Sequence, residues 1–158
     1  MSSVTAPISL YNLCSGTLNQ VKTYRKGSAM NYIYKLSPLF AVILQRADAD
    51  DWFESLNFNC TCFIPNREYS SRYLNYFLEI DYQTARAIVQ SSVIIGQLSE
   101  DILTKKEIIP TIGKYYRVHI EAAEDSILVN KMHIETKVNA DNGVIFILNG
   151  LLHPTCSR

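Results

Sequence analysis

Apolar and polar residues alternate at helical intervals in the first half of the chain. The first clear stripe ends at Ala47, and its members are Leu36, Leu39, Phe40, Ile43 and Ala47. Ser37 is suited to the N-cap and Pro38 to the first helical position. The spacing therefore predicts an amphipathic helix here. A short acidic helix, residues 50–56, is expected to follow.

Aromatic residues recur at helical spacing after Pro65. They are Tyr69, Tyr73, Tyr76 and Phe77. This period predicts an amphipathic helix that packs on a sheet. Asp81 is then suited to cap one more helix, whose inner face carries Ala85, Ile88 and Val89.

The apolar period changes from helical to alternating from Ile108 onward, which indicates strands. Two predicted inward faces consist of Tyr116, Val118 and Ile120, and of Met132, Ile134 and Val138. Residues 144–148 are apolar on both faces, which is typical of a central strand covered on both sides. An earlier strand, residues 58–64, is expected to join this later sheet. A helix-rich N-terminal half and a β-rich C-terminal half predict an α+β domain.

The composition favours one folded domain. The chain has 158 residues, of which 47% are apolar and 19% charged, with a formal net charge of zero. An apolar fraction this high, with no net charge, is not typical of a disordered chain. The lack of a basic excess argues against a nucleic-acid partner. The first 30 residues are weakly patterned, so we expect residues 1–30 to be an arm that packs in part on a domain of residues 31–158. Its basic cluster, Lys22, Arg25 and Lys26, is expected in a solvated loop.

The sequence predicts no membrane span, because no apolar run is long enough. The first ten residues lack the charged and continuous apolar regions of a secretory signal. These features leave the location unknown but favour an intracellular or particle-associated protein over classical secretion.

Four cysteines raise the questions of disulfide and metal chemistry. Cys60 and Cys62 lie two apart on a predicted strand and face the same way. Burial as small apolar residues is the expected outcome, and half of a zinc site is the alternative. Cys14 and Cys156 could pair in an oxidising setting, and the sequence leaves this open.

Charged clusters give no clear sign of catalysis. His119 and His133 lie beside Glu121 and Glu135 on outward strand faces, so they could form a metal patch if their strands pair. Cross-strand charge pairing explains the same pattern. The acidic residues Asp48, Asp50, Asp51 and Glu54 are expected on the outer face of a short helix. No catalytic or phosphate-binding motif occurs. We therefore predict a protein that is not an enzyme and needs no cofactor or metal.

Two segments carry a family resemblance. One is Thr61-Cys-Phe-Ile-Pro-Asn66, and the other begins at Asp141-Asn-Gly143, continues as an apolar strand to Asn149-Gly150 and ends at Pro154. Together they resemble the landmark motifs of the fasciclin-like (FAS1) domain family, of which the chain looks like a divergent member over residues 31–155. The Asn-Gly pair is suited to a turn with positive φ. The resemblance implies a wedge of two small β-sheets flanked by several helices.

The chain departs from the family pattern in one region tied to function. Ser91 and Ser92 replace a Tyr-His pair of the family, and Ile95 replaces a proline. The adhesive role that the family partly attributes to this region is therefore not carried over.

Two functions from different classes remain. The resemblance implies a non-catalytic adhesion or protein-interaction module, with a protein or glycan partner or with self-association. Its expected binding residues are Tyr69, Tyr73, Tyr76, Tyr115 and Trp52. The alternative is an intracellular or virion structural component that uses the same fold for assembly.

Overall fold

The structure is a computed structural model that describes residues 22–98, 107–113 and 116–152. Its helices are α1 (Ala29–Leu36), α2 (Pro38–Arg46), α3 (Asp50–Glu54), α4 (Arg67–Phe77) and α5 (Tyr82–Ser92). Its strands are β1 (Cys60–Pro65), β2 (Val93–Ile95), β3 (Glu107–Pro110), β4 (Arg117–Ala123), β5 (Ser126–Val129), β6 (Met132–Asn139) and β7 (Gly143–Leu148). The predicted α+β order is confirmed. Within the described ranges, no helix combines the length and the apolar character that crossing a membrane requires.

The helices begin where the sequence provides caps. The Asp81 carboxylate accepts a hydrogen bond from the Thr84 amide at 2.7 Å, as predicted, and the Asn66 side chain accepts one from the Tyr69 amide at 2.8 Å. These bonds satisfy amides that a helix leaves unpaired in its first turn. Ser37 precedes Pro38 as predicted, but its buried hydroxyl makes no capping bond.

The seven described strands form one mixed sheet in the order β2-β1-β7-β6-β5-β4-β3. β1 and β7 run parallel, with Cys62 opposite Ile145 and Phe63 opposite Phe146, and every other pairing is antiparallel. The early strand therefore joins the later sheet, as predicted. β7 is central and its apolar side chains are covered on both faces.

Each face of the sheet has its own apolar core. Helices cover one face, where Cys60, Cys62 and Ile145 pack against α1, α2 and α5. On the other face, the neighbouring residues Phe63, Val144, Phe146 and Leu148 pack against Val118, Ile120 and Val129. Successive residues of a strand point to opposite faces, so β1 and β7 contribute to both cores.

A β-bulge in β6 corrects one prediction. Ile134 pairs with Leu148 and Thr136 with Ile147, so Glu135 is an extra residue opposite this partner strand. The bulge reverses the alternation: Met132 and Ile134 pack in the second core, whereas Val138 packs in the first. The prediction that all three share one face was wrong, because it assumed an unbroken period of two.

The sheet is joined across its two edges. The Ile112 amide, just after β3, donates to the Val93 carbonyl of β2 at 2.9 Å, and the Gly113 amide donates to the Gln90 carbonyl at 3.1 Å. One continuous hydrogen-bonded order links the described strands, so the expected division into two small sheets is not confirmed.

The N-terminal loop, residues 22–28, is bound to the domain by charge pairs. Lys22 Nζ lies 2.7 Å from Asp50 Oδ2, and Arg25 Nη1 lies 2.5 Å from Asp141 Oδ2. Asp50 is only 4% exposed, and it also accepts a 2.8 Å hydrogen bond from the Tyr24 hydroxyl. The prediction of Asp50 on an outer helix face was wrong, and so was that of a merely solvated basic loop. The two clusters carry opposite charge and neutralise one another.

Candidate interaction surface

Helix α4 presents three of the predicted tyrosines. Ser70 and Phe77 mark its buried side. Tyr69, Tyr73 and Tyr76 follow one another at intervals of four and three residues, so they lie along one side of the helix. Tyr69 is half-buried against the first core, Tyr73 is 39% exposed and Tyr76 is 77% exposed. We call these three residues the tyrosine face.

The rings of this face have defined neighbours. The centroids of Tyr69 and Tyr73 are 4.5 Å apart with planes tilted by 44°, and Tyr76 meets the edge of Phe77 at 5.1 Å. Such tilted pairs are favourable aromatic geometries. Burial and the neighbouring Tyr73 raise the pKa of the Tyr69 hydroxyl, so this group stays protonated at neutral pH. The face thus runs from a half-buried, protonated Tyr69 to the well exposed ring of Tyr76.

Contacts with α1 and α2 hold α4 in place. The buried Ser70 hydroxyl accepts a 2.7 Å hydrogen bond from the Leu39 amide. Arg67 donates to the Lys35 carbonyl at the end of α1, and Arg46 of α2 donates to the Leu78 carbonyl at the end of α4. Both ends of the helix are therefore fixed, and the exposed rings are carried by a rigid element.

Trp52 lies at a different place. It is half-buried on α3, with its ring 5.4 Å from Phe53 and 5.0 Å from Phe58, both at steep angles. Its indole lines a cleft of about 270 Å³, which we call the Trp52 cleft. The cleft is lined by Ala47, Asp48, Ala49, Trp52, Arg86, Val89, Gln90 and Ile112. None of the tyrosine face takes part, so the structure separates Trp52 from the tyrosines with which it was predicted. Tyr115, the remaining predicted binding residue, lies outside the described residues.

The condition for a metal patch of His119 and His133 is not met, because their strands are not neighbours. β5 lies between β4, which carries His119, and β6, which carries His133. His133 Nδ1 instead lies 3.0 Å from the Ser126 hydroxyl, and Glu135 accepts from the Asn66 amide group. Within the described ranges, no three His, Cys, Asp or Glu residues converge as a metal site would require.

The two strand cysteines are buried apolar residues, as predicted. Cys60 is 3% exposed and Cys62 fully buried, and both thiols are free. Burial raises the pKa of each thiol, so neither is a reactive thiolate at neutral pH. Cys14 and Cys156 lie outside the described residues.

Other exposed apolar side chains were not among the predicted binding residues. The most exposed are Ile95, Leu56 and Ile108, and Tyr82 is 46% exposed at the start of α5. Arg86 lies one helical turn further along α5, with its guanidinium 5.8 Å from the Tyr82 ring centroid and its Nη1 3.1 Å from the hydroxyl. The spacing of Tyr82 and Arg86, four residues apart, was the sequence signal that could have revealed this pair.

Comparison with known proteins identifies similar domains. A sequence model of the Fasciclin domain matches residues 37–154. Among solved structures, a FAS1 domain pair from the insect cell adhesion molecule Fasciclin I aligns with a TM-score of 0.62 and 14% sequence identity. The alignment covers 79% of this chain and 50% of that one. No curated protein matches the chain significantly. At this identity the structural likeness concerns the fold alone.

Proposed function

The chain belongs to the Fasciclin domain family, and from this premise we propose that it is a non-catalytic adhesion or protein-interaction module. The landmark motifs of the family include β1 and β7, the parallel pair at the centre of the sheet. They are structural, so the fold does not by itself identify the binding surface. The surface has to be argued from exposed side chains.

The tyrosine face is the proposed binding surface. The observation that carries this assignment is the 77% exposure of Tyr76 beside the 39% exposed Tyr73, on a helix fixed at both ends. Tyrosine is enriched among residues that dominate binding energy, because it buries a large ring and has few rotatable bonds to order. Because the backbone that carries the rings is already helical, binding does not have to order a loop.

A protein partner suits this face best. The exposed polar residues around the rings include Arg72 and Glu68, whose charged atoms lie 3.8 Å apart and remain largely solvated. A ring centre with a mixed-charge rim has the composition of a protein–protein interface. Glycan binding and self-association are the other outcomes that the test separates.

The test compares adhesion of beads coated with the full chain and with a Tyr73→Ser, Tyr76→Ser double variant. Removing both rings should lower adhesion to cells by about tenfold or more, as expected for central aromatic contacts. Tyr82→Ser is the matched control, since Tyr82 is similarly exposed but lies on α5. Unchanged adhesion of the double variant, with a loss in the control, would place the binding surface elsewhere.

Treatment of the target surface identifies the partner class. Prior protease treatment of the cells should abolish bead adhesion, whereas removal of surface glycans should leave it intact. Beads that aggregate with one another through the same tyrosines would indicate self-association instead. Protection of the native protein from protease in intact cells or particles would favour the internal assembly role over adhesion.

A further inference from the structure

We propose that the Trp52 cleft binds a zwitterionic molecule of amino-acid size, with an ammonium group, a carboxylate and an apolar side chain. The cleft is formed by three separate parts of the chain: the connection from α2 into α3, residues 86–90 of α5 and the loop after β3. It does not involve the tyrosine face, so this inference stands apart from the proposed adhesion surface.

The size and walls of the cleft fit one small ligand. Its volume of about 270 Å³ lies just below the range of sites for drug-sized molecules, so an amino acid is a better match than a larger cofactor. Ala47 and Ala49 leave room beside the Trp52 ring, and Val89 and Ile112 complete the apolar part of the lining. The indole of Trp52 thus forms part of an apolar wall that an apolar or aromatic side chain could contact.

The walls are held in place before any ligand binds. Trp52 packs edge-on against Phe53 and Phe58, which are buried in the first core. The loop that carries Ile112 is bonded to Val93 and Gln90 through its backbone amides. A preformed cleft avoids the entropy cost of ordering its walls on binding.

Two charges of opposite sign line the same cleft without pairing. Asp48 and Arg86 form no ion pair with each other, and among the described residues Asp48 has no side-chain partner. The guanidinium of Arg86 contacts the neutral Tyr82 and meets no carboxylate within the described part of the chain. Both side chains are exposed. A ligand with one charge would be attracted by one of these groups and repelled by the other. A zwitterion satisfies both, with its ammonium at Asp48 and its carboxylate at Arg86.

Asp48 is poorly suited to its position in the backbone. It follows α2 with a φ of 57°, its amide donates to the Gln45 carbonyl, and the next amide donates to Leu44. This is a Schellman ending, in which Gly or Asn normally occupies the left-handed position. A carboxylate at the end of a helix also faces the negative end of the helix dipole. Strain of this kind at a cleft is a reason to look for a binding role.

The fluorescence of Trp52 provides the test, because it is the only tryptophan of the chain. The full chain is titrated with L-phenylalanine, with phenylpropionate, which lacks the ammonium, and with phenethylamine, which lacks the carboxylate. Selective excitation of tryptophan excludes signal from the tyrosines and the ligands. We expect saturable binding of L-phenylalanine, about tenfold tighter than that of either analogue.

Two variants assign the charges. Asp48→Asn should remove the advantage of L-phenylalanine over phenylpropionate, and Arg86→Gln should remove its advantage over phenethylamine. Arg72→Gln, on α4, is the matched control and should bind as the unaltered chain does. The Tyr73→Ser, Tyr76→Ser variant should also retain binding, whatever its adhesion.

Several results would overturn the proposal. They are the absence of saturable change with all three compounds, equal affinity for all three, and charge variants that bind as the unaltered chain does. Circular dichroism of each variant distinguishes a lost contact from a lost fold. A second criterion is opposite preferences of the two charge variants between phenylpropionate and phenethylamine, because unfolding cannot produce opposite preferences.

Discussion

Asn142 connects three parts of the chain through one buried side chain. Its Oδ1 accepts from the Ala29 amide at 2.7 Å, and its Nδ2 donates to the carbonyls of Phe53 and Ser55 at 2.9 and 2.8 Å. The start of α1, the end of α3 and the entry to β7 thus meet at an amide whose donors and acceptor are used. At 3% exposure, water cannot replace these bonds.

Asn142→Ala is expected to lower the free energy of unfolding by about 3 kcal/mol, because it removes the side-chain partner of the Ala29 amide and the Phe53 carbonyl and leaves the Ser55 carbonyl only its bond from the Phe58 amide. Urea denaturation followed by circular dichroism measures the change. Asn149→Ala is the control: that side chain accepts one bond from the His133 amide at 3.1 Å and is exposed. Equal losses in the two variants would contradict the special role of Asn142.

Asp48→Asn is expected to raise the free energy of unfolding by about 0.5 kcal/mol, since it removes a negative charge from the end of α2 and places a residue favoured in the left-handed region. Thermal denaturation detects the gain as a higher Tm. Asp125→Asn, in the exposed turn between β4 and β5, should give no such gain. A lower Tm for Asp48→Asn would show that the carboxylate stabilises the domain.

The burial of a single residue could be predicted where the neighbouring sequence determines which way its side chain points. Cys60 and Cys62 were placed correctly because alternation along a strand sets their side. Asp50 was not, because its partners Lys22 and Tyr24 are distant in sequence. Gly143 was assigned to a positive-φ turn, which is wrong: an added Cβ there would lie 2.6 Å from the Cys60 carbonyl oxygen. Close approach of β1 excludes a side chain, and only the three-dimensional structure shows it.

At the scale of elements, the N-terminal loop and the β6–β7 turn are joined by an exposed pair. Arg25 holds Asp141 through two hydrogen bonds, at 2.5 and 3.0 Å. These bonds lower the pKa of Asp141 from its usual 3.8. A carboxylate with a lowered folded-state pKa contributes stability above its unfolded pKa and loses it as pH falls through the folded value.

Asp141→Asn should therefore destabilise the domain at pH 7 and have no effect at strongly acid pH, where the native carboxyl is protonated as well. Urea midpoints of both proteins, measured from neutral pH to below the folded pKa of Asp141, test this. Asp125→Asn is again a control, expected to leave the pH profile unchanged. A constant difference between Asp141→Asn and the native chain at every pH would contradict the linkage.

Helices α2, α4 and α5 and strands β1, β6 and β7 were predicted because their periods extend over several residues, whereas α1 and β2 were not predicted. The bulge at Glu135 was not predicted, because one extra residue cannot be recognised from the alternation of apolar and polar residues alone. Its effect is visible in Lys137, whose Nζ lies 6.0 Å from the Phe146 ring centroid, on the opposite face from Val138. The separation of His119 from His133 follows from short connections, which place β5 between their strands.

At the scale of the whole molecule, the parallel pair of β1 and β7 lies inside both cores. The pairing joins distant parts of the chain and is protected on each face. We expect its amides to exchange hydrogen only when the entire domain unfolds. The edge strand β3, where Ile108 is 59% exposed, should exchange earlier.

Hydrogen exchange with mass spectrometry tests this order. Peptides from residues 60–65 and 143–148 should show the slowest exchange, with a free energy of opening equal to that from denaturant. The peptide that contains residues 107–110 is the internal control. Exchange of β1 as fast as that of β3 would mean that the centre opens without global unfolding.

The sequence predicted the α+β class, the early strand within the later sheet and the family. The prediction that the aromatic stripe of α4 packs on a sheet was wrong for Tyr73 and Tyr76, which are 39% and 77% exposed. They remain the proposed binding residues. The sequence could not predict the Trp52 cleft, because three separated segments build its walls. The single sheet was missed for the same reason: its edges are joined by the loop at Ile112, which has no distinctive pattern.

The two buried thiols on β1 can report how often the domain unfolds. An alkylating reagent cannot reach Cys62 in the folded domain, but it can once the central strand is exposed. Each such event adds a bulky group that the packed core cannot accommodate again. A molecule that has unfolded once therefore cannot refold into the native core. The fraction of molecules that have unfolded can be read from the mass added to the peptide that contains Cys60 and Cys62.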